Sequence, residues 1–103
     1  MAGGKIPNQK LKNISFAKKN LRNIDLSHSY FFKCDFVSTD LRGANLSHAT
    51  FVHCTFRNAD LRDANLNNSQ IRHSVFTYAN IDNAQMKDVN ISRTYWIDGE
   101  HIP

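Results

Sequence analysis

Cys34 and Cys54 stand 20 residues apart, and five histidines, His28, His48, His53, His73 and His101, complete the set of soft ligands and neutral-pH bases. His53-Cys54 is a metal-site fragment on paper, because imidazole and thiolate both bind zinc. Ser27-His28 and Ser47-His48 set a hydroxyl beside a base, but no buried acid accompanies them to orient the imidazole. Asp40 and Asp60 share a stretch with Arg22, Arg42 and Arg62. Paired carboxylates catalyse inside a cleft; beside guanidinium groups they read as a surface charge ladder. Which of these groups meet depends on the elements that carry them.

The chain of 103 residues allows one domain. Apolar residues are 41% and charged residues 21%, the balance of a folded globular chain. No apolar run approaches the roughly 18 residues of a spanning helix, and the first ten residues hold no apolar signal segment. These features argue against a membrane protein, a secretory precursor and a multidomain enzyme, and the expected location is cytoplasmic. Gly and Pro number only four and two, few for a β-rich domain, and no segment keeps helical spacing over three turns. That combination points to an internal repeat.

The repeat has a period of five: every fifth residue from Phe16 to Trp96 is large and apolar, 17 positions without exception. Two residues before each centre the side chain is small in 13 of the 17, so a small and a large residue recur as a pair. The residue just before the centre is polar in 14, mostly Asn or Asp. Ala59-Asp60-Leu61-Arg62-Asp63 and Ala64-Asn65-Leu66-Asn67-Asn68 show the unit cleanly. A strand alternates with period two and a helix returns near 3.6, so five requires a short extended stretch and then a corner. Three extended residues put the small and large side chains inward; the other two turn the chain. Winding on, the backbone becomes a flat-sided solenoid with turns at strand spacing, about 4.8 Å.

Sorted every 20 residues, the centres fall into four columns of like side chains. Phe16, Phe36, Phe56, Phe76 and Trp96 form an aromatic one; Leu21, Leu41, Leu61 and Ile81 a second; Leu26, Leu46, Leu66 and Met86 a third; Phe31, Phe51, Ile71 and Ile91 the last. Four columns mean four sides, and the stretch gives about four coils. This A-[DN]-L-x-x pattern resembles the pentapeptide-repeat family over roughly residues 12–98. The resemblance implies an all-β, right-handed quadrilateral β-helix. Residues 1–11 are expected as a basic lead-in and residues 99–103 as a C-terminal cap or tail.

On such a rod Cys34 and Cys54 face inward in one column as reduced packing residues. Their Cα spacing would suit a disulfide, but parallel Cβ vectors would not. The histidines His28, His48, His53 and His73 point outward, and adjacent His53 and Cys54 face opposite ways, so they share no ion. No catalytic, cofactor or metal residues are expected. Two of the predicted packing features lie at the ends. Ile14, Lys19 and Ile24 occupy small-residue positions, so the first coil should open to solvent. After Trp96 the tail with its two exposed-looking isoleucines, Ile97 and Ile102, caps the last coil or joins a dimer contact, since family members pair through their C-terminal ends.

Net charge is +4, unevenly spread: residues 1–24 carry six positives and no acid. A basic strip of Lys33, His53, His73 and Arg93 runs up one corner. These charges suit nucleic acid, an anionic membrane surface or an acidic protein, or else a solvated face. Tyr30, Phe32, Val37, Val52, Val75, Tyr78 and Tyr95 sit at outward positions, where they mark an interface or cover the corners. Candidate interaction residues are therefore Phe32, Val52, Tyr30, Lys33, Arg22, Arg42 and Arg62. The expected function is a non-enzymatic binding or scaffold protein for a protein partner, with homodimerisation through the C-terminal end. The resemblance also raises inhibition or protection of a type II topoisomerase (DNA gyrase) by mimicry of DNA. That role needs a long acidic rod, and the charge here is basic.

Overall fold

The structure, a computed structural model, describes residues 3–103. It is a right-handed quadrilateral β-helix of about four coils, with dimensions of 33 × 25 × 24 Å. One side of the square carries a three-residue strand in every coil: β1 (Lys10–Lys12), β2 (Tyr30–Phe32), β3 (Thr50–Val52), β4 (Gln70–Arg72) and β5 (Asn90–Ser92). They pair in parallel, in order, each residue over the one 20 before it. The other three sides are joined by one bridging residue per rung, such as Asp35 over Ser15, Asp40 over Asn20 and Asn45 over Asp25. Three-residue strands on every side, the sequence expectation, thus hold for one side only.

The corners explain the difference. On the three bridged sides the carbonyl of most apolar centres accepts the amide three residues on, as Phe36 does from Thr39 at 3.2 Å and Leu41 from Ala44 at 3.0 Å. A side-chain oxygen just before the centre accepts the amide just after it: Asp35 from Val37 at 2.8 Å, Asn45 from Ser47 at 3.1 Å, Asn65 from Asn67 at 2.9 Å. This local bond is why Asn and Asp dominate that position. From Asn8 to Arg93 every corner also passes through a left-handed residue two places after the centre: 17 are not glycine, with φ between 48° and 64°, and the other is Gly43. Asn, Asp and His tolerate that region best, which accounts for Asn8, Asn58, Asn68, Asp63 and all four repeat histidines there. At Gly43 a side chain would also meet the Asn23 carboxamide of the coil below.

The lumen is filled by stacked columns. Successive rings of Phe16, Phe36, Phe56 and Phe76 lie 5.0, 4.6 and 4.4 Å apart, and Phe31 lies 4.9 Å from Phe51. Phe51 meets Phe56 edge-on at 5.0 Å, locking the two columns together. Leu41, Leu46, Leu61 and Leu66 are fully buried beside them. The end members Phe16 and Trp96 pack against this core but are half-buried, because each has a stacking neighbour on one side alone. Trp96 is tilted 35° to Phe76.

At the N-terminal end Ile14 and Lys19 are exposed as expected, but Ile24 is buried. The reason lies beneath it: Gly3 donates to the Arg22 carbonyl and Lys5 bridges Asp25, so coil register begins well before residue 12. Much of the expected lead-in is therefore a rung. At the other end β6 (Thr94–Tyr95) pairs antiparallel with β7 (His101–Ile102), and Trp96 donates to the Glu100 carbonyl. Ile97 and Ile102, expected to be exposed, are half-buried by this return of the chain.

Candidate interaction face

The strand side differs chemically from the other three. Its outward backbone groups belong to the parallel ladder, so the position before each centre has no amide to cap. Tyr30, Thr50 and Gln70 stand there in place of the Asp and Asn common on the other sides, and only the last rung has an Asn, Asn90. Its corner lacks the turn bond to the third residue, and the amide left over is capped from the coil above. Cys54 N–H donates to Ser74 Oγ at 3.2 Å and Ser74 N–H to Thr94 Oγ1 at 3.3 Å. Cys34, Cys54, Ser74 and Thr94 make one column, so the two thiols occupy a position otherwise filled by hydroxyls. Both are free and buried, and burial pushes the Cys54 thiol up to about 12.

Released from corner duty, the outward positions of this side carry bulk and charge. Tyr30 is 40% exposed; Phe32 and Val52 are half-buried rather than solvent-facing, because neighbouring side chains lie over them. Val37 and Val75, on a bridged side, are half-buried too, whereas Tyr78 and Tyr95 are exposed. Over the Phe32 ring stand the ammonium groups of Lys12, at 5.9 Å, and Lys33, at 5.3 Å. His53 lies perpendicular to the Phe32 ring at 5.8 Å between centroids and stacks on His73 at 4.8 Å. Lys10, Leu11, Lys12, Tyr30 and Phe32 line an open depression of about 420 Å³. None of the nine acidic residues lies on this side or on the corner after it, which hold Lys10, Lys12, Lys33, Arg72 and Arg93.

The structure thus brings Tyr30, Phe32, Val52 and Lys33 together and leaves Arg22, Arg42 and Arg62 elsewhere. The three arginines form a ladder with Asp40 and Asp60: Arg22 Nε lies 2.6 Å from Asp40, and Arg42 and Arg62 reach Asp40 and Asp60 at 2.8 and 2.7 Å. Each of the three guanidinium groups is paired with a carboxylate, Asp40 and Asp60 being shared among them. The Arg62 hydrogen bond holds Asp60 below the usual carboxylate range, and the Ser27 hydrogen bonds do the same for Asp25. The sequence counts Lys10 and Lys12 with the basic N-terminal stretch rather than with the Tyr30–Phe32 face. The 20-residue register already sets them beneath Tyr30 and Phe32. His28 and His48 stack at 4.6 Å on a different corner, and no group of three potential metal ligands converges among the described residues. No helix among them is long and apolar enough to cross a membrane.

A family model described as a pentapeptide repeat region matches residues 8–86, and the chain belongs to the pentapeptide-repeat family. The fold is similar to that of AT2G44920, a pentapeptide repeat protein from the thylakoid lumen of Arabidopsis thaliana. That likeness has 23% identity and a TM-score of 0.53, covering 93% of this chain and 68% of the other. QnrB1, a plasmid-mediated fluoroquinolone resistance protein, is similar at 20% identity and a TM-score of 0.53, over 88% of this chain and 56% of QnrB1. Rfr23, from the cyanobacterium Cyanothece 51142, is 21% identical over 92% and 89% of the two chains, with a TM-score of 0.41. At these identities the likeness is one of fold. No curated protein matches the chain.

Proposed function

We propose that this chain is a rigid, non-catalytic module that holds a protein partner against the β1–β5 side. One observation carries the reading. That side is freed from the local bonds that dictate Asn and Asp elsewhere, and it uses the freedom for Tyr30, Phe32 and Val52 among cations, with no acid. Aromatic residues beside basic ones are the composition of contact surfaces. The return of β7 onto β6 favours the tail as a cap over the tail as a dimer surface. Topoisomerase protection by mimicry of DNA is not supported: the acids are dispersed, and two of them are neutralised in the arginine ladder. The free buried thiols suit a reducing compartment such as the cytoplasm.

The test is capture of partners from the source cells with wild type, Phe32→Asp and Arg42→Glu. Loss of one specific protein with Phe32→Asp, and its retention with Arg42→Glu, is the expected result. The reverse pattern would move the contact to the arginine ladder, and identical capture by all three proteins would reject a contact on the β1–β5 side.

A further inference from the structure

Building on that protein-binding reading, we propose that the Tyr30–Phe32 end of the β1–β5 side binds an acidic polypeptide segment, which places one apolar side chain in the depression over Leu11. Sign comes first. Five cations and no carboxylate occupy this side and its corner. A second copy docked face to face would oppose like charges, whereas an acidic segment is attracted at long range and forms charge-assisted bonds on contact. Shape comes second. The depression of about 420 Å³ is bounded by Tyr30, Phe32 and the stems of Lys10 and Lys12. Lysine stems offer hydrocarbon walls with the charge held at the rim. An apolar side chain therefore fits below while flanking carboxylates meet the ammonium groups above.

The state of Phe32 selects polypeptide over single-stranded nucleic acid. A base binds such a face by stacking on an open aromatic ring. Here the Lys12 and Lys33 ammonium groups already stand over the ring, and His53 packs perpendicular to it. Stacking would displace these cation–π contacts, while carboxylate binding leaves them in place and uses the ammonium groups they position.

Fluorescence anisotropy with a labelled acidic peptide, glutamate and aspartate around one central phenylalanine, tests this. Comparison probes are the same peptide with alanine at the centre, an oligothymidylate and phosphatidylglycerol vesicles. Replacing the central phenylalanine, or Lys12→Glu in the protein, is expected to weaken binding by about tenfold or more. Raising salt from about 50 to about 500 mM should weaken it several-fold. Arg42→Glu should leave it unchanged, with circular dichroism verifying that each variant is folded. Tighter binding of oligothymidylate or vesicles, or full affinity in Lys12→Glu, overturns the proposal. If the acidic peptide fails while Phe32→Asp still loses its cellular partner, the acidic chemistry falls and the protein-binding reading stands. If Phe32→Asp loses no partner, that reading falls with it.

Discussion

Ser69 and Ser74 lie five residues apart, both inside the lumen, yet only one is hydrogen-bonded. Ser74 Oγ accepts from Cys54 N–H and donates to the Arg72 carbonyl at 2.9 Å. Ser69 Oγ has no partner and no access to solvent. An unmet buried hydroxyl carries its desolvation penalty, while removing a met one orphans its partners. Thermal or urea unfolding should therefore show Ser74→Ala destabilised by about 1–3 kcal/mol and Ser69→Ala as stable as wild type or more so. Equal losses in both would reject the distinction. At Cys54 the raised thiol pKa, about 12, leaves almost no thiolate at neutral pH, and the side chain is enclosed. Disulfide reagents should titrate no thiol in the folded protein and both after denaturation. The inward placement of both cysteines was legible from the five-residue period. Their kinship with Ser74 and Thr94 was not, because the missing turn bond at that corner leaves no mark in composition.

Corners are the element on which the coil depends. A β-branched residue is strained in the left-handed region that Asn58 occupies at φ 59°. Asn58→Val should lower stability by about 1–3 kcal/mol, measured by chemical denaturation, whereas Asn58→Gly should not. The Arg–Asp ladder crosses three coils along one side and brings pH dependence. Asp60 has a folded pKa below its ordinary 3.8, so it favours the folded state above that value. The benefit drains away as pH falls below 3.8 toward the depressed value. Because the pair is partly exposed, the effect should stay under about 1 kcal/mol. Melting temperatures of wild type and Asp60→Asn should converge between neutral and strongly acidic pH; a constant gap would count against the ladder. The four columns could be read directly from residue type at 20-residue spacing. The singular status of the strand side could not, since it follows from which backbone groups pair between coils. Phe32 and Val52 stood out in the sequence as an outward column with Tyr30 beside it, but the backbone pairing that frees their side did not.

For the molecule as a whole, the two ends differ. Leu11 and Phe16 toward one end and Trp96 at the other are all half-buried, but only the C-terminal end has a returning strand, β7 on β6, beside its last rung. Stability in a solenoid sums over neighbouring rungs, so loss of a cover is felt first in the rung beneath it. Removing residues 98–103 should lower the melting temperature and increase Trp96 fluorescence quenching by added iodide; unchanged quenching would show that the tail covers nothing. The coil register extends back to Lys5, earlier than the five-residue pattern suggests, because Lys5 and Lys10 fill outward positions where the code is weakest.

Quarter-turn geometry also constrains how such a chain can lengthen or shorten. Gaining or losing a single pentad between Phe32 and Val52 would rotate everything downstream by ninety degrees, break the cationic strip into unaligned fragments and set phenylalanine columns against leucine ones. Gaining twenty residues would merely extend each column by one member. Indels in multiples of four units are thus the neutral ones, and the acid-free side survives only those.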